Sequence, residues 1–262
     1  NDDLLYDDLG KDRADGGDGD DRLRSLGGND TLVGGAGNDT ITGKGIGDDS
    51  MIGGSGNDTI SAAAGNDTIE GGLDNDLIYG WGGNDQLNGG DGHDVLYGGL
   101  GADLLQGETG IVLLFGGEGA DTLYGAADHD GLMGGNGADE IHGGDGTDQI
   151  DGGLGADQLH GGAGLDYFSY TSVDHSGPAA LRDTIHDFEI ATDQIIFEMD
   201  GDVSTSEIDI LHLNAGGPAA NGFWIVVDGA NSVVLADVNG DTLPDLEILV
   251  LGVTALTAED FA

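Results

Sequence analysis

The nonapeptide GGAGNDTIT (Gly34–Thr42) returns as GGSGNDTIS from Gly53, GGDGHDVLY from Gly89, GGEGADTLY from Gly116, GGNGADEIH from Gly134 and GGLGADQLH from Gly152. This period constrains the fold more than any other feature of the chain. One nonapeptide cannot bury an apolar face by itself, so each copy must stack on others and build a continuous core. Aligned, the copies read Gly-Gly-x-Gly-x-Asp-x-U-x, with U apolar. The first six positions, rich in Gly, Asn and Asp, tolerate left-handed backbone and form a turn. The last three form a short strand whose middle residue points inward. The inward column reads Leu23, Leu32, Ile41, Met51, Ile60, Ile69, Ile78, Leu87, Leu96, Leu105, Leu114, Leu123, Leu132, Ile141, Ile150, Leu159 and Phe168.

Composition shows what such a stack lacks. Asp and Glu number 51 against 6 Lys and Arg, a formal net charge of -45, and 54 residues are Gly. Like charges repel in the compact state, and glycine loses more backbone entropy on ordering than any other residue. A multivalent cation is therefore the expected partner; nucleic acid and anionic membranes are not. The chain has no cysteine, so neither a disulfide nor a thiolate metal site supports the fold. No apolar stretch approaches the ~20 residues of a membrane helix. The opening NDDLLYDDLG lacks the basic and apolar regions of a signal peptide. Asn1 and Asp2 read as the end of a loop that begins upstream, so the chain is expected to be a piece of something longer.

The consensus resembles that of repeats-in-toxin (RTX) domains over roughly the first two-thirds of the chain. The resemblance implies an all-β fold, a right-handed parallel β-roll in which successive repeats lie on opposite sheets. Loops two repeats apart then stack, with calcium between them. The sixth-position column is Asp12, Asp21, Asp30, Asp39, Asp49, Asp58, Asp67, Asp76, Asp85, Asp94, Asp103, Asp121, Asp130, Asp139, Asp148, Asp157 and Asp166. These aspartates offer hard oxygen ligands. Carbonyls left uncovered at the second- and fourth-position glycines would complete the ~6–8 oxygens that calcium takes. Those glycines are Gly17, Gly19, Gly35, Gly37, Gly54, Gly56, Gly90, Gly92, Gly99, Gly101, Gly117, Gly119, Gly135, Gly137, Gly144, Gly146, Gly153 and Gly155. Pairing loops two repeats apart leads to on the order of a dozen calcium ions.

Departures from the consensus mark irregular places. Val112 stands where the aspartate belongs, so calcium beside that loop should be lost or weakened. Asp74 and Asp128 replace the fourth-position glycine. The stretches beginning at Tyr6 and Gly43 each carry one extra residue, which implies a bulge. On one outer face the repeats present Leu77 and Tyr79, Val95 and Tyr97, Leu113 and Phe115, then Gly131 and Met133. An apolar stripe of this kind suggests a covered surface, whose occupant is the missing upstream domain, the segment after Val173 or a second copy. The other face, with Gln86 and Asn88, Leu104 and Gln106, Thr122 and Tyr124, then Glu140 and His142, reads as ordinary solvent-facing chemistry.

The period stops near Val173, which divides the chain into a roll over 1–172 and a β-rich cap over 173–262. Strand runs joined at Asp228-Gly229 and Asn239-Gly240 carry hairpin signals, and a roll needs a cap over its open edge. This part resembles the carboxy-terminal region of serralysin-type secreted proteases through Asp183, Ile185, Asp187, Phe188, Asp193, DVNGD and the final LTAEDFA. That resemblance implies export through a type I secretion apparatus. Asp237, Asn239, Asp241 and Asp245 mimic an EF-hand start, but Thr242 and Ile248 occupy the positions of the turn glycine and the bidentate glutamate, which favours a plain turn.

No catalytic site emerges. His-Glu-x-x-His is absent. Asp174, His175 and Ser176 are neighbours in sequence, an arrangement that seldom has triad geometry. His142 and His160 project from one sheet two repeats apart and are able to pair on zinc. Lacking a third ligand in the sequence pattern, they read as exposed side chains. Two functions fit: a calcium-dependent folding and secretion module of a secreted enzyme (protease, lipase or epimerase), or the terminal part of a surface adhesin or S-layer protein.

Overall fold

A computed structural model describes residues 3–6, 9–171, 182–190, 192–197, 222–237, 244, 246–254, 256, 260 and 261. The first strands are β1 (Leu4–Tyr6), β2 (Arg13–Asp18), β3 (Arg22–Arg24), β4 (Thr31–Ala36) and β5 (Thr40–Thr42). Eight strands of six residues follow: β6 (Ser50–Ser55), β7 (Thr59–Ala64), β8 (Thr68–Leu73), β9 (Leu77–Gly82), β10 (Gln86–Asp91), β11 (Val95–Leu100), β12 (Leu104–Thr109) and β13 (Leu113–Glu118). Five of seven residues come next: β14 (Thr122–Asp128), β15 (Gly131–Gly137), β16 (Glu140–Gly146), β17 (Gln149–Gly155) and β18 (Gln158–Gly164). The last are β19 (Tyr167–Tyr170), β20 (Asp183–Ile185), β21 (Gln194–Phe197), β22 (Gly222–Asp228), β23 (Asn231–Asp237) and β24 (Leu246–Val250).

Odd-numbered strands from β1 to β21 make one parallel sheet of 11 strands, and even-numbered strands from β2 to β20 make the other, which β24, β23 and β22 extend to 13. This is a parallel β-roll of about nine turns. Each turn contributes one inward apolar side chain per sheet, and every residue of the column from Leu23 to Phe168 is at most 2% exposed. Strands are longer than the three residues expected, because pairing skips the first glycine of each loop and resumes at its second and third residues, as Gly90↔Gly72 and Asp91↔Leu73 show. The extra residue after Gly43 is absorbed where β5 stops at Thr42, and parallel pairing returns at an isolated Ile46↔Ala64 bridge.

Stacking loops two repeats apart crowds the second position against the backbone of the neighbouring loop. A Cβ on Gly35 would strike the carbonyl oxygen of Gly17, and Gly35 has φ 117°. All six non-glycine residues with positive φ lie at position two or four: Ala63, Trp81, Glu108 and Ala126, then Asp74 and Asp128. The fold imposes this conformation even where the sequence departs from glycine, at a local strain of roughly 1–2 kcal/mol each.

The two sheets do not end where the period lapses. β20 pairs in parallel with β18, and β21 with β19. Beyond them β24 joins β20 in parallel, then β23 and β22 fold back antiparallel through a two-residue turn at Gly229 (φ 68°) and Ala230. Phe261 reaches back to an isolated bridge with Ile195. Asp174, His175, Ser176, Asn239, Gly240, Asp241, Thr242, Asp245 and much of the final LTAEDFA lie outside the described residues.

Candidate metal centre

Register brings the sixth-position aspartates into two columns, one along each edge of the roll. From Asp21 through Asp166, each aspartate of the column is buried, at most 8% exposed, with Asp12 half-buried at the first turns. Each Oδ1 accepts the backbone N–H of the sixth residue two repeats earlier: Asp21 N–H to Asp39 at 2.7 Å, Asp76 N–H to Asp94 at 2.8 Å, Asp148 N–H to Asp166 at 3.0 Å. These bonds hold the carboxylates in one orientation. A second ladder runs the other way outside the first, in which the fifth-position side chain accepts the N–H of the fifth residue two repeats later. Asn38 accepts from Asn57 at 2.8 Å, Asn75 from His93 at 2.8 Å, and His93 Nδ1 from Ile111 at 3.0 Å. The reading of the sequence gave position five no role, although its frequent Asn was the visible signal.

The other carboxylate oxygen is the telling atom. Oδ2 is buried without a hydrogen-bond partner in Asp12, Asp21, Asp30, Asp39, Asp58, Asp76, Asp85, Asp94, Asp103, Asp121, Asp130, Asp139, Asp148 and Asp166. In the loops that begin with glycine it turns toward that bare residue, as in Gly34 and Asp39, Gly53 and Asp58, and Gly71 and Asp76. A Cβ on Gly34 would collide with both Oδ2 of Asp39 and the carbonyl oxygen of Gly53, so carboxylate and carbonyl oxygens flank the same glycine with no donor between them.

Burial is the main reason these carboxyls are hard to ionise, with neighbouring carboxylates adding to it and the N–H bond to Oδ1 partly opposing it. Asp49, Asp58, Asp67, Asp85, Asp103 and Asp148 are pushed up to about 6, and Asp76 and Asp139 to about 7. An isolated buried carboxylate loses several kcal/mol of hydration, so it protonates or finds a cation. An all-oxygen donor set, anionic and oriented, with further carbonyl oxygens beside it, suits a hard divalent cation and calcium in particular.

Three more aspartates stand in the columns. Asp3, rather than Asp2, heads the first strand and donates its N–H to Asp21. Asp183 Oδ1 accepts from Asp157 N–H at 3.0 Å, and Asp193 Oδ1 from Asp166 N–H at 3.1 Å. Their signal was the Asp-x-Ile spacing of Asp183 to Ile185 and Asp193 to Ile195, which repeats the consensus without its glycines. Val112 takes its place in the column fully buried. Its N–H reaches Asp130 Oδ1 at 2.9 Å, but its side chain offers no oxygen to Asp94 N–H.

The apolar stripe on the 11-stranded sheet is a stack of rings. Tyr79 and Tyr97 lie 5.0 Å apart at 5°, Tyr97 and Phe115 4.7 Å apart at 7°, and Trp81 stacks on Tyr79 at 5.9 Å. Met133 follows Phe115 in register and is 45% exposed.

The model of the RTX calcium-binding nonapeptide repeat, four copies long, matches residues 1–32, 26–60, 44–78, 61–96, 97–132 and 133–168. Among solved structures the chain is similar to the AlgE6R3 subunit of the Azotobacter vinelandii mannuronan C5-epimerase, at TM-score 0.42 and 26% identity over 55% of this chain and 78% of that one. The AlgE6R2 subunit of the epimerase gives TM-score 0.40 and 24% identity over 55% and 87%. The extracellular lipase LipA from Serratia marcescens gives 0.31 and 15% over 79% and 40%. No curated protein matches. With the repeat model spanning well over half of its length and both aspartate columns in place, the chain belongs to the RTX calcium-binding nonapeptide repeat family.

Proposed function

We propose that this chain is a calcium-dependent folding and secretion module of a larger bacterial enzyme such as a protease, lipase or epimerase, exported unfolded by a type I apparatus and folded by extracellular calcium. The observation that carries the reading is the column of buried, unpartnered Oδ2 atoms in a chain of net charge -45. The aspartates from Asp12 to Asp166 hold the ions together with carbonyls of the second- and fourth-position glycines, on the order of a dozen ions in all, with an interruption beside Val112. Bound calcium supplies the positive charge that the stacked carboxylates need. The residues do the rest: each Oδ1, held by an N–H two repeats away, keeps its Oδ2 oriented, and the glycines leave the carbonyls uncovered. Outside, where calcium is abundant, the chain folds; before export it stays open.

Residues 1–172 are the calcium-dependent part in this reading, and 173–262 form a cap that carries the secretion signal. Asp187 supports a capping role: its carboxylate accepts N–H groups of Gly161 and Gly162 at 2.9 and 3.1 Å on the last full repeat. Circular dichroism tests the central claim. The chain is expected to be disordered in chelator and to gain β structure as calcium reaches roughly 10⁻⁴–10⁻³ M. Equal structure in chelator would overturn it.

A second reading, a structural part of an adhesin or S-layer protein, is favoured by the ring stack. Trp81 is 58% exposed despite its strained φ of 77°, and Leu113 and Met133 are each 45% exposed beside Tyr79, Tyr97 and Phe115. Here the face docks an upstream domain or a second copy. Light scattering of a Tyr97→Ser/Phe115→Ser variant in calcium tests the second-copy form: assembly lost in the variant supports it, and a parent monomeric at all concentrations removes it.

A further inference from the structure

The outer face of the 13-stranded sheet departs from the solvent chemistry expected of it. Tyr124, His142, His160 and His186 form a second ring stack, with centroids 4.8, 4.4 and 4.3 Å apart and interplanar angles of 12°, 14° and 8°. The cause is register: Glu140 pairs with Gln158 and His142 with His160 on adjacent parallel strands β16 and β18. Residues two apart on a strand share a face, so Glu140 and Gln158 form a row of oxygen donors alongside the imidazoles.

Packing alone explains Tyr124 but not its successors. An imidazole buries little apolar area, and protonating one of three stacked rings sets it against its neighbours. Burial, together with His142 and His186, holds His160 below the usual histidine range, against the opposite pull of Asp187 and Glu140. Meanwhile Glu140 Oε1 lies 3.0 Å from His142 Nε2, and the ligand atoms of Glu140, His142 and His160 all lie within 4.8 Å of one another. Glu140 is exposed and both histidines are half-buried, which leaves one side open to water. Gln158 is engaged elsewhere, its Oε1 2.7 Å from His186 Nε2, a contact that steadies the end of the stack.

We propose that Glu140, His142 and His160 form a site for a borderline divalent transition metal, zinc above all, with water in the remaining position. Two imidazoles and one carboxylate are a zinc donor set, and with Zn–N near 2.1 Å adjacent ligand atoms of a tetrahedron lie about 3.4 Å apart. The Glu140–His142 pair, at 3.0 Å, lies within a few tenths of an ångström of that spacing, and rotation of the half-buried His160 ring brings in the third donor. The nitrogen donors separate this site from the all-oxygen loops, since calcium prefers oxygen while imidazole suits zinc, copper and nickel. A roll that folds on calcium thus carries a second metal on its flank, able to join it to a donor on another surface through the open position.

The test is isothermal titration of zinc chloride into the full 262-residue chain in saturating calcium, which blocks the aspartate columns. One zinc per chain is expected. The His142→Gln/His160→Gln variant is expected to weaken that binding by at least about 100-fold, more than loss of an outer partner would, with its calcium-induced circular dichroism unchanged. Binding of the same strength in the variant, or no zinc bound by the parent, would overturn the proposal. Should the variant fail to fold, the cobalt(II) form of the parent decides by nuclear magnetic resonance. Paramagnetically shifted imidazole N–H signals from two histidines support the site, and their absence sinks it.

Discussion

Inside the loops and outside the sheets, this molecule uses the same device to opposite effect. Both the aspartate columns and the ring stacks arise because one position of the nonapeptide lands on its equivalent two repeats away. On the outer faces the stacked groups satisfy each other: rings 4.3–5.0 Å apart gain contact from every neighbour they acquire. In the loops the stacked groups are carboxylates, and each neighbour makes its burial worse. A periodic backbone amplifies whatever chemistry it repeats. Amplified aromatics add to the stability of the stack without a further partner, and amplified carboxylates make the fold conditional on a cation.

Acid should break this comparison most strongly. Carboxyls such as Asp76 and Asp139, raised from 3.8 to about 7, favour folding fully below about 4, and that contribution is lost progressively as pH rises from there through about 7. In chelator, then, lowering pH from 7.5 toward 4 is expected to restore β structure in far-ultraviolet circular dichroism. In calcium the dependence reverses, because protons compete with the ion and the calcium midpoint rises as pH falls through the same range. A chelated chain indifferent to acid would mean that the columns are not what opposes folding.

Exchanging the two kinds of sixth residue sharpens the point. Asp139→Val removes the acceptor that Asp121 N–H uses at 2.8 Å, at a cost of about 3 kcal/mol in calcium by denaturant melts. In chelator the same change should stabilise, since it deletes a buried charge. Val112→Asp should do the reverse, giving Asp94 N–H an acceptor, raising the bound calcium measured by elemental analysis, and lowering stability without the ion. Identical signs with and without calcium would sink the idea that Val112 interrupts a calcium row. The smallest effect is expected outside: Tyr97→Ser breaks two ring contacts worth about 1 kcal/mol each, and should leave the calcium count unchanged.

The inward column, both aspartate columns and the Tyr79, Tyr97 and Phe115 stripe were legible in the sequence, because strict periodicity converts spacing directly into contact. Legibility failed where periodicity did. Asp183 and Asp193 rejoin the columns after intervals of 26 and 27 residues from Asp157 and Asp166, so the nine-residue period does not point to them and only the short Asp-x-Ile spacing does. The histidine row was visible only in part. His142 and His160 are two repeats apart, but His186 lies 26 residues beyond His160, and its ring reaches the stack only because β20 pairs with β18.

By itself the sequence determined the repeat, its inward residue, the placement of its carboxylates and the excess of negative charge, since each follows from composition and from a period that any two-sheet stack must obey. Tertiary structure alone decided which oxygen of most column aspartates is satisfied and which is left bare, that Trp81 and five other residues must take left-handed backbone, and that the ligand atoms of Glu140, His142 and His160 come within 4.8 Å of one another. Those outcomes depend on the distance and direction between chain segments a full turn of the roll apart. Hydrogen bonding and close packing set that geometry only once the loops have stacked.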